Sequence, residues 1–165
     1  MMRKLLLCSI VFVLLAGGCA KDEQECRADY DPCSFVAPAS EIQAVQSYLA
    51  ANNLTAVQHC SGVFYIIDAP GTGAAPDICS MINTNYVGKL TNGQVFDSGT
   101  FQENIQLGGL IRGWVNTLPL IKKGGKIRMF IPPSLGYGNR EVGTPPNTIP
   151  ANSILIFDIE LTVVQ

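Results

Sequence analysis

The chain carries one histidine, His59, and it stands directly beside Cys60. Relays of the Ser-His-Asp or Cys-His type need a histidine placed between a nucleophile and an orienting carboxylate. A lone histidine next to a cysteine does not supply that arrangement. The stretch "GTGAAP" at 71–76 has a faint dinucleotide-loop pattern, but Pro70 precedes it, Pro76 ends it and no helix follows. It reads as a plain loop. "GKL" at 88–90 lacks the remainder of a phosphate loop. The Asp and Glu residues show no metal-ligand spacing. What is left is aromatic and aliphatic: Tyr86, Phe96, Trp114, Tyr137 and Phe157, with Asp97 directly after Phe96. Such a set can hold and orient an apolar group without moving a proton. Trp114, the only tryptophan, closes the stretch "LIRGW". It either fills an ordinary core, with Asp97 in a turn, or floors a binding site. Adjacent strand residues point to opposite faces, so Asp97 joins such a site only at a strand end or a bulge.

The elements that must position these residues begin at residue 62, where short strands alternate with turns. "GVFYIID" reads as a strand. "CSMINTNYVGKL" and "QVFDSG" flank "TNG", an Asn-Gly turn that predicts a hairpin. "ENIQLGGLIRGWVNTLPLI" has few β signals and fits a short helix around Ile111–Leu118. Gly113 would let the start of that helix approach the sheet closely. "KIRMFIPP" is a strand ended by Pro132 and Pro133. A glycine- and proline-rich loop follows. "SILIFDIELTVVQ" is the last strand, with Ile154, Ile156 and Leu161 expected on one face and Phe157 on the other. The fold class is α+β, an antiparallel sheet curled over one short helix. Before it, "SEIQAVQSYLAANNL" predicts a helix capped by Ser40, with Ile42, Val45, Leu49 and Tyr48 along one apolar face.

The 165 residues, net charge of −2 and 47% hydrophobic content suit one modest domain with additions, and give no electrostatic case for nucleic acid. Arg3 and Lys4 precede an apolar run from Leu5 to Leu15, shorter than the ~20 helical residues a bilayer requires. This is a secretory signal pattern. Its end, "LLAGGC", resembles a bacterial lipoprotein signal, which places cleavage before Cys19 and lipid on it; plain secretion is the alternative. Residues 1–18 are then the signal, 19–39 a polar tether, 40–60 the helix and its connection, and 61–165 the main domain. The charged run "KDEQE" in the tether resembles the surface-export signal of some lipoproteins; a solvated spacer is the plainer reading. The expected location is the bacterial cell envelope, lipid-anchored and either periplasmic or surface-facing, with the outer membrane favoured over the inner. Of 6 cysteines, Cys26, Cys33, Cys60 and Cys79 lie beyond the signal and Cys19. An even number in an oxidising compartment points to disulfides. Proximity in sequence favours Cys26–Cys33 and Cys60–Cys79 among the possible pairings. The rival reading, a zinc site using His59, lacks a Cys-x-x-Cys pair.

Four blocks carry a further pattern: "NYVGKLTNGQVFDSG", "LGGLIRGW", "IKKGGKIRMFIPPSLGYG" and "IPANSILIFDIEL". In this order and spacing they resemble FKBP-type peptidyl-prolyl isomerases across most of residues 76–165. The resemblance implies a twisted antiparallel sheet wrapped around a short helix, with an apolar pocket between them. It implies Trp114 as the pocket floor, Tyr86, Phe96 and Phe157 as walls, and Leu110 and Ile111 as a rim. The Ile111 N–H and the Tyr137 hydroxyl would meet substrate carbonyls, Ile149 would close the loop side and Asp97 would sit at the edge. The implied activity is X-Pro isomerisation on proline-containing polypeptides, with no cofactor or metal. A chaperone or binding module with little isomerase activity is the alternative. Macrolide binding is a further implication of the family. The stretch "FQENIQLG" departs from it, because Glu103 and Ile105 stand where many members carry an aromatic pair. That alters the pocket wall macrolides use.

Overall fold

The structure is a computed structural model that describes residues 29–165, except for the side chains of 101–104. The expected signal, Cys19 and Cys26 lie outside the described residues. Helix α1 (Ala39–Ala51) is followed by β1 (Val57–Gln58), β2 (Phe64–Ala69), β3 (Met81–Leu90) and β4 (Val95–Gln106). Then come helix α2 (Arg112–Thr117), β5 (Lys126–Ile131) and β6 (Leu155–Val164). The six strands form one antiparallel sheet in the order β1-β2-β5-β6-β3-β4. This is the α+β architecture anticipated from the pattern of elements.

The β3–β4 hairpin turns at the expected Asn-Gly pair, where Gly93 adopts φ +86° and the Leu90 N–H donates to the Gln94 carbonyl at 2.9 Å. That positive φ is free of cost to glycine and strained for other residues. β4 extends beyond the expected "QVFDSG" to Gln106, pairing Ile105 and Gln106 with Ile82 and Met81. Weak local β propensity is overridden there by pairing with a long neighbour.

β6 carries apolar residues on both faces. Leu155, Phe157, Ile159 and Leu161 join the main core with α2, while Ile156 faces the opposite side. The expected grouping of Leu161 with Ile154 and Ile156 is therefore corrected: strand parity puts Leu161 with Phe157. The second face is buried because α1 lies across it. Val45 and Leu49 of α1 pack on Phe64, Phe130 and Ile156. The helix begins one residue before Ser40, which does not cap it; Pro38 holds the cap position without a side-chain bond. The Glu41 carboxylate instead accepts the Ser134 N–H at 2.9 Å, fastening the helix to the short helical turn, Pro133–Leu135, that follows β5.

The expected tether also departs from the description. Cys33 is bonded to Cys60, with Cα atoms 5.4 Å apart. Cys79 is disulfide-bonded as well. Cys26–Cys33 and Cys60–Cys79 are therefore not the pairs formed. Sequence distance carried no information on which chain ends the fold brings together. The zinc alternative falls with them: Cys33, His59 and Cys60 do cluster, but two of the three sulfur and nitrogen donors are consumed in the bridge. Residues 30–36 stay largely solvent-exposed yet are tied to the domain at points, and the segment ends at buried Ala37, whose N–H donates to the Ser61 carbonyl at 2.9 Å.

Candidate active site

Helix α2 is only six residues long. So short a helix is unstable alone and holds its shape through packing. Gly113 sits on the sheet side, where a Cβ would fall 2.5 Å from the Ile131 side chain. The close approach drives Trp114 into the concave face of the sheet, where it is 3% exposed. Its ring meets Phe157 edge-on at 5.2 Å between centroids and Tyr86 at 5.5 Å. Phe96 in turn meets Phe157 edge-on at 5.5 Å. These edge-to-face pairs are favourable orientations for aromatic quadrupoles.

Phe96 and Asp97 reach the same side through a β-bulge. Gly88 pairs with Asp97 and Lys89 with Val95, so Phe96 is the extra residue on β4. The bulge breaks the alternation that would otherwise separate the two side chains. Asp97 accepts a hydrogen bond from the Tyr86 hydroxyl at 2.7 Å. Burial raises the Tyr86 phenol well above its ordinary value, and the hydrogen bond to Asp97 and that carboxylate's charge raise it further. Burial and the Asp97 charge push Tyr137 up as well. Both phenols therefore stay neutral throughout the physiological range.

Over the indole lies an open hollow of about 70 Å³ lined by Tyr86, Asp97, Leu110, Ile111, Trp114, Tyr137 and Phe157. One water needs ~10–15 Å³ of such space, so the hollow takes a small ring in place of several waters. Two hydrogen-bonding groups on it are uncommitted among the described residues. The Ile111 N–H, at the cap of α2, donates to no protein group, and the Tyr137 hydroxyl has no partner. Phe96 and Ile149 do not line this hollow. They stand in an adjoining groove with Val142, Pro145, Pro146 and Asn147, joined to it through Asp97 and Tyr137. Ile149 is held there by paired backbone bonds with Val142, at 2.8 and 3.0 Å.

Seven of the nine aromatic, aliphatic and acidic residues singled out in the sequence thus share one hollow, and two flank it. Gly88 escaped notice. A Cβ there would lie 2.6 Å from Phe96 ring atoms and 2.8 Å from Phe157. Its absence lets both rings cross the strand. A glycine inside an otherwise alternating strand was the available signal. The loop wall at Val142–Asn147 had no such signal, because its placement depends on bonds distant in sequence, such as Gln94 Nε2 to the Pro146 carbonyl at 3.0 Å.

The model of the FKBP-type peptidyl-prolyl cis-trans isomerase family matches residues 73–162. The FKBP-type peptidyl-prolyl cis-trans isomerase FkpA of Buchnera aphidicola is 48% identical over 105 residues, which cover 61% of this chain and 40% of that protein. The chain spans about two fifths of the length of the curated relatives it matches. Among solved structures, a peptidyl-prolyl cis-trans isomerase from Pseudomonas syringae aligns with a TM-score of 0.64 and 30% identity, over 78% of this chain and 97% of the other. FkpA from Escherichia coli aligns at 0.63 with 34% identity, over 77% and 60% respectively. The matched segment takes in the bulge, α2 and the loop wall, and it amounts to more than half of the sequence. On these grounds the chain belongs to the FKBP-type peptidyl-prolyl cis-trans isomerase family.

Proposed function

We propose that this protein accelerates cis–trans isomerisation of X-Pro bonds in exported polypeptides while anchored to the cell envelope through lipid on Cys19. The observation that carries the catalytic part is the hollow over Trp114, apolar on its floor and walls and edged by the uncommitted Ile111 N–H and Tyr137 hydroxyl. Rotation about an X-Pro bond is slow, tens to hundreds of seconds, because it breaks amide resonance. No bond is made or cleaved, so neither nucleophile nor metal is called for. The protein has only to bind the twisted amide better than either planar form.

The residues suit that task. Twisting removes conjugation and leaves carbonyl and nitrogen less dipolar, so a dry aromatic surface favours the twisted form over the planar one. The proline ring packs on the indole between Tyr86 and Phe157. The Ile111 N–H and Tyr137 hydroxyl donate to carbonyls on either side of the ring and fix the rotating bond. Asp97, by accepting the hydrogen bond of the Tyr86 hydroxyl, holds that phenol as part of the wall. Bringing tens of seconds down to milliseconds requires about 5–6 kcal/mol. A few oriented hydrogen bonds and the exclusion of water from a small site supply an effect of that order.

The signal pattern at residues 1–18 supports the anchoring, and two or more acyl chains would make it stable. Export fits the disulfide at Cys33–Cys60. Macrolides that target the family would enter the same hollow, with weaker hold along the wall where Ile105 stands in place of a ring. The test is a protease-free measurement, cis–trans exchange of a proline peptide followed by NMR, with the full chain in detergent micelles. Catalysed exchange that a family-directed macrolide slows is the expected result. Exchange no faster than in buffer refutes the catalytic reading, and an unmodified Cys19 by mass spectrometry refutes the anchoring.

A further inference from the structure

Residues 30–37 cross the outside of α2, the helix that carries the site. Two contacts tie them to it. The Tyr30 hydroxyl donates to Asn116 Oδ1 at 2.5 Å. The Arg112 guanidinium stands 4.7 Å from the centre of the Phe35 ring. Arg112 and Asn116 are four residues apart and so share one face of the helix, opposite the face of Trp114. The helix is thus gripped from both sides: the sheet meets Gly113 and Trp114, and the N-terminal segment meets Arg112 and Asn116. Between the two gripping residues, Cys33 is bonded to Cys60. Local bonds stiffen the segment further, with the Cys33 N–H on Asp31 Oδ1 at 2.8 Å and the Ser34 hydroxyl on the Asp31 carbonyl at 2.7 Å. The Ala37 N–H on the Ser61 carbonyl ends it. The segment lies wholly outside the residues that the family model matches, 73–162.

The geometry points to Tyr30 and Phe35 as positioning residues of the isomerase, members of a disulfide-fastened strap that holds α2, and with it the Trp114 indole and the Ile111 N–H, in register with the sheet. The inference rests on the isomerase reading above. A helix of six residues has little rigidity of its own, and a shift of about 1 Å in a reacting site costs up to ~100-fold in rate. The strap supplies the missing constraint without touching the hollow.

The test compares the wild-type full chain with Tyr30→Phe, Phe35→Ala, the two combined, and Phe35→Tyr, which keeps a ring beneath Arg112. Three quantities are read: kcat and KM by peptide exchange, thermal unfolding, and acrylamide quenching of Trp114, the only tryptophan. In the combined variant, kcat should fall about tenfold, with Trp114 more readily quenched at a temperature where unfolding shows the protein fully folded. Phe35→Tyr should restore both values toward wild type in the Tyr30-containing background. Unchanged kcat and quenching in the combined variant overturn the positioning role while leaving isomerase activity standing. A fall in kcat that merely follows the unfolded fraction overturns it too. A wild-type protein without activity defeats the isomerase reading separately, and the quenching comparison then still decides whether the strap sets the indole.

Discussion

Substituting Gly88 by alanine perturbs the site from a position that does not itself line the hollow. The added methyl would lie 2.6 Å from Phe96 and 2.8 Å from Phe157, well inside van der Waals contact. Phe96 and Phe157 are 5% and 4% exposed, so neither ring can swing into solvent without uncovering the core. Overpacking of this kind costs about 1–3 kcal/mol. In a chain of this size each kcal/mol lowers Tm by ~2–4 °C, so a fall of roughly 2–12 °C is expected. The larger consequence is on the wall. Phe157 packs edge-on against both Trp114 and Phe96, and each such pair contributes ~0.5–1.5 kcal/mol. Displacing Phe157 disturbs both, and a loss near 1.4 kcal/mol in transition-state binding is a tenfold fall in kcat/KM. Peptide exchange by NMR and a thermal melt on the same sample give both numbers. A second variant, Gly88→Ala with Phe96→Leu, relieves the contact with Phe96 but not the one with Phe157; it should regain at most part of the Tm and none of the activity. If Gly88→Ala melts early yet keeps wild-type kcat/KM, the aromatic wall does not govern catalysis, and the reasoning fails.

Three more outcomes follow from the geometry. Tyr137→Phe removes a hydroxyl with no partner among the described residues, so Tm should move by less than the equivalent of ~0.5 kcal/mol while kcat/KM falls about tenfold; an equal loss in both would mean the hydroxyl is structural. The folded state holds the Tyr86 proton more tightly than the unfolded chain, chiefly through burial and then through Asp97, so that contribution to stability is complete below the ordinary phenol value of about 10 and is lost as pH rises beyond it. Tm measured from pH 9 to 11.5 should therefore drop less steeply in Tyr86→Phe than in wild type, and parallel curves would contradict the assignment. Replacing Cys33 and Cys60 together by serine reopens a sequence separation of 27 residues, for which chain entropy gives ~3–4 kcal/mol; denaturant titration should show the midpoint fall and the slope steepen, because the freed unfolded chain exposes more surface, and an unmoved midpoint would contradict that figure.

Much of the site could be read in the sequence because its chemistry is local in type: one tryptophan after a glycine, an acid after a phenylalanine, a tyrosine in a glycine-rich loop. What joined Phe96 to Asp97 could not, since a bulge is a property of two strands and appears only when Gly88 and Lys89 are matched to their partners. The hairpin and the short helix were legible from the Asn-Gly turn and from residues that fit poorly in a strand. The two-sided burial of β6 was not, because nothing within the strand announces that α1 builds a second core on its other face. The Cys33–Cys60 bridge was hidden for a related reason: spacing along the chain says little about which loops meet. The segment 30–37 looked solvated by composition, yet Tyr30 and Phe35 find partners on α2 that only the assembled fold presents.

The helix laid across the outer face of the sheet has a consequence for any attempt to shorten this protein. Val45 and Leu49 cover Phe64, Phe130 and Ile156. An excised fragment confined to residues 73–162 would lose α1, β1 and β2, leave β5 as an unpaired border, and bare Phe130 and Ile156 beside it. An apolar strand with an open edge is a template for self-association. Trimming to the family's shared portion therefore invites clumping, and a soluble expression fragment should begin ahead of α1.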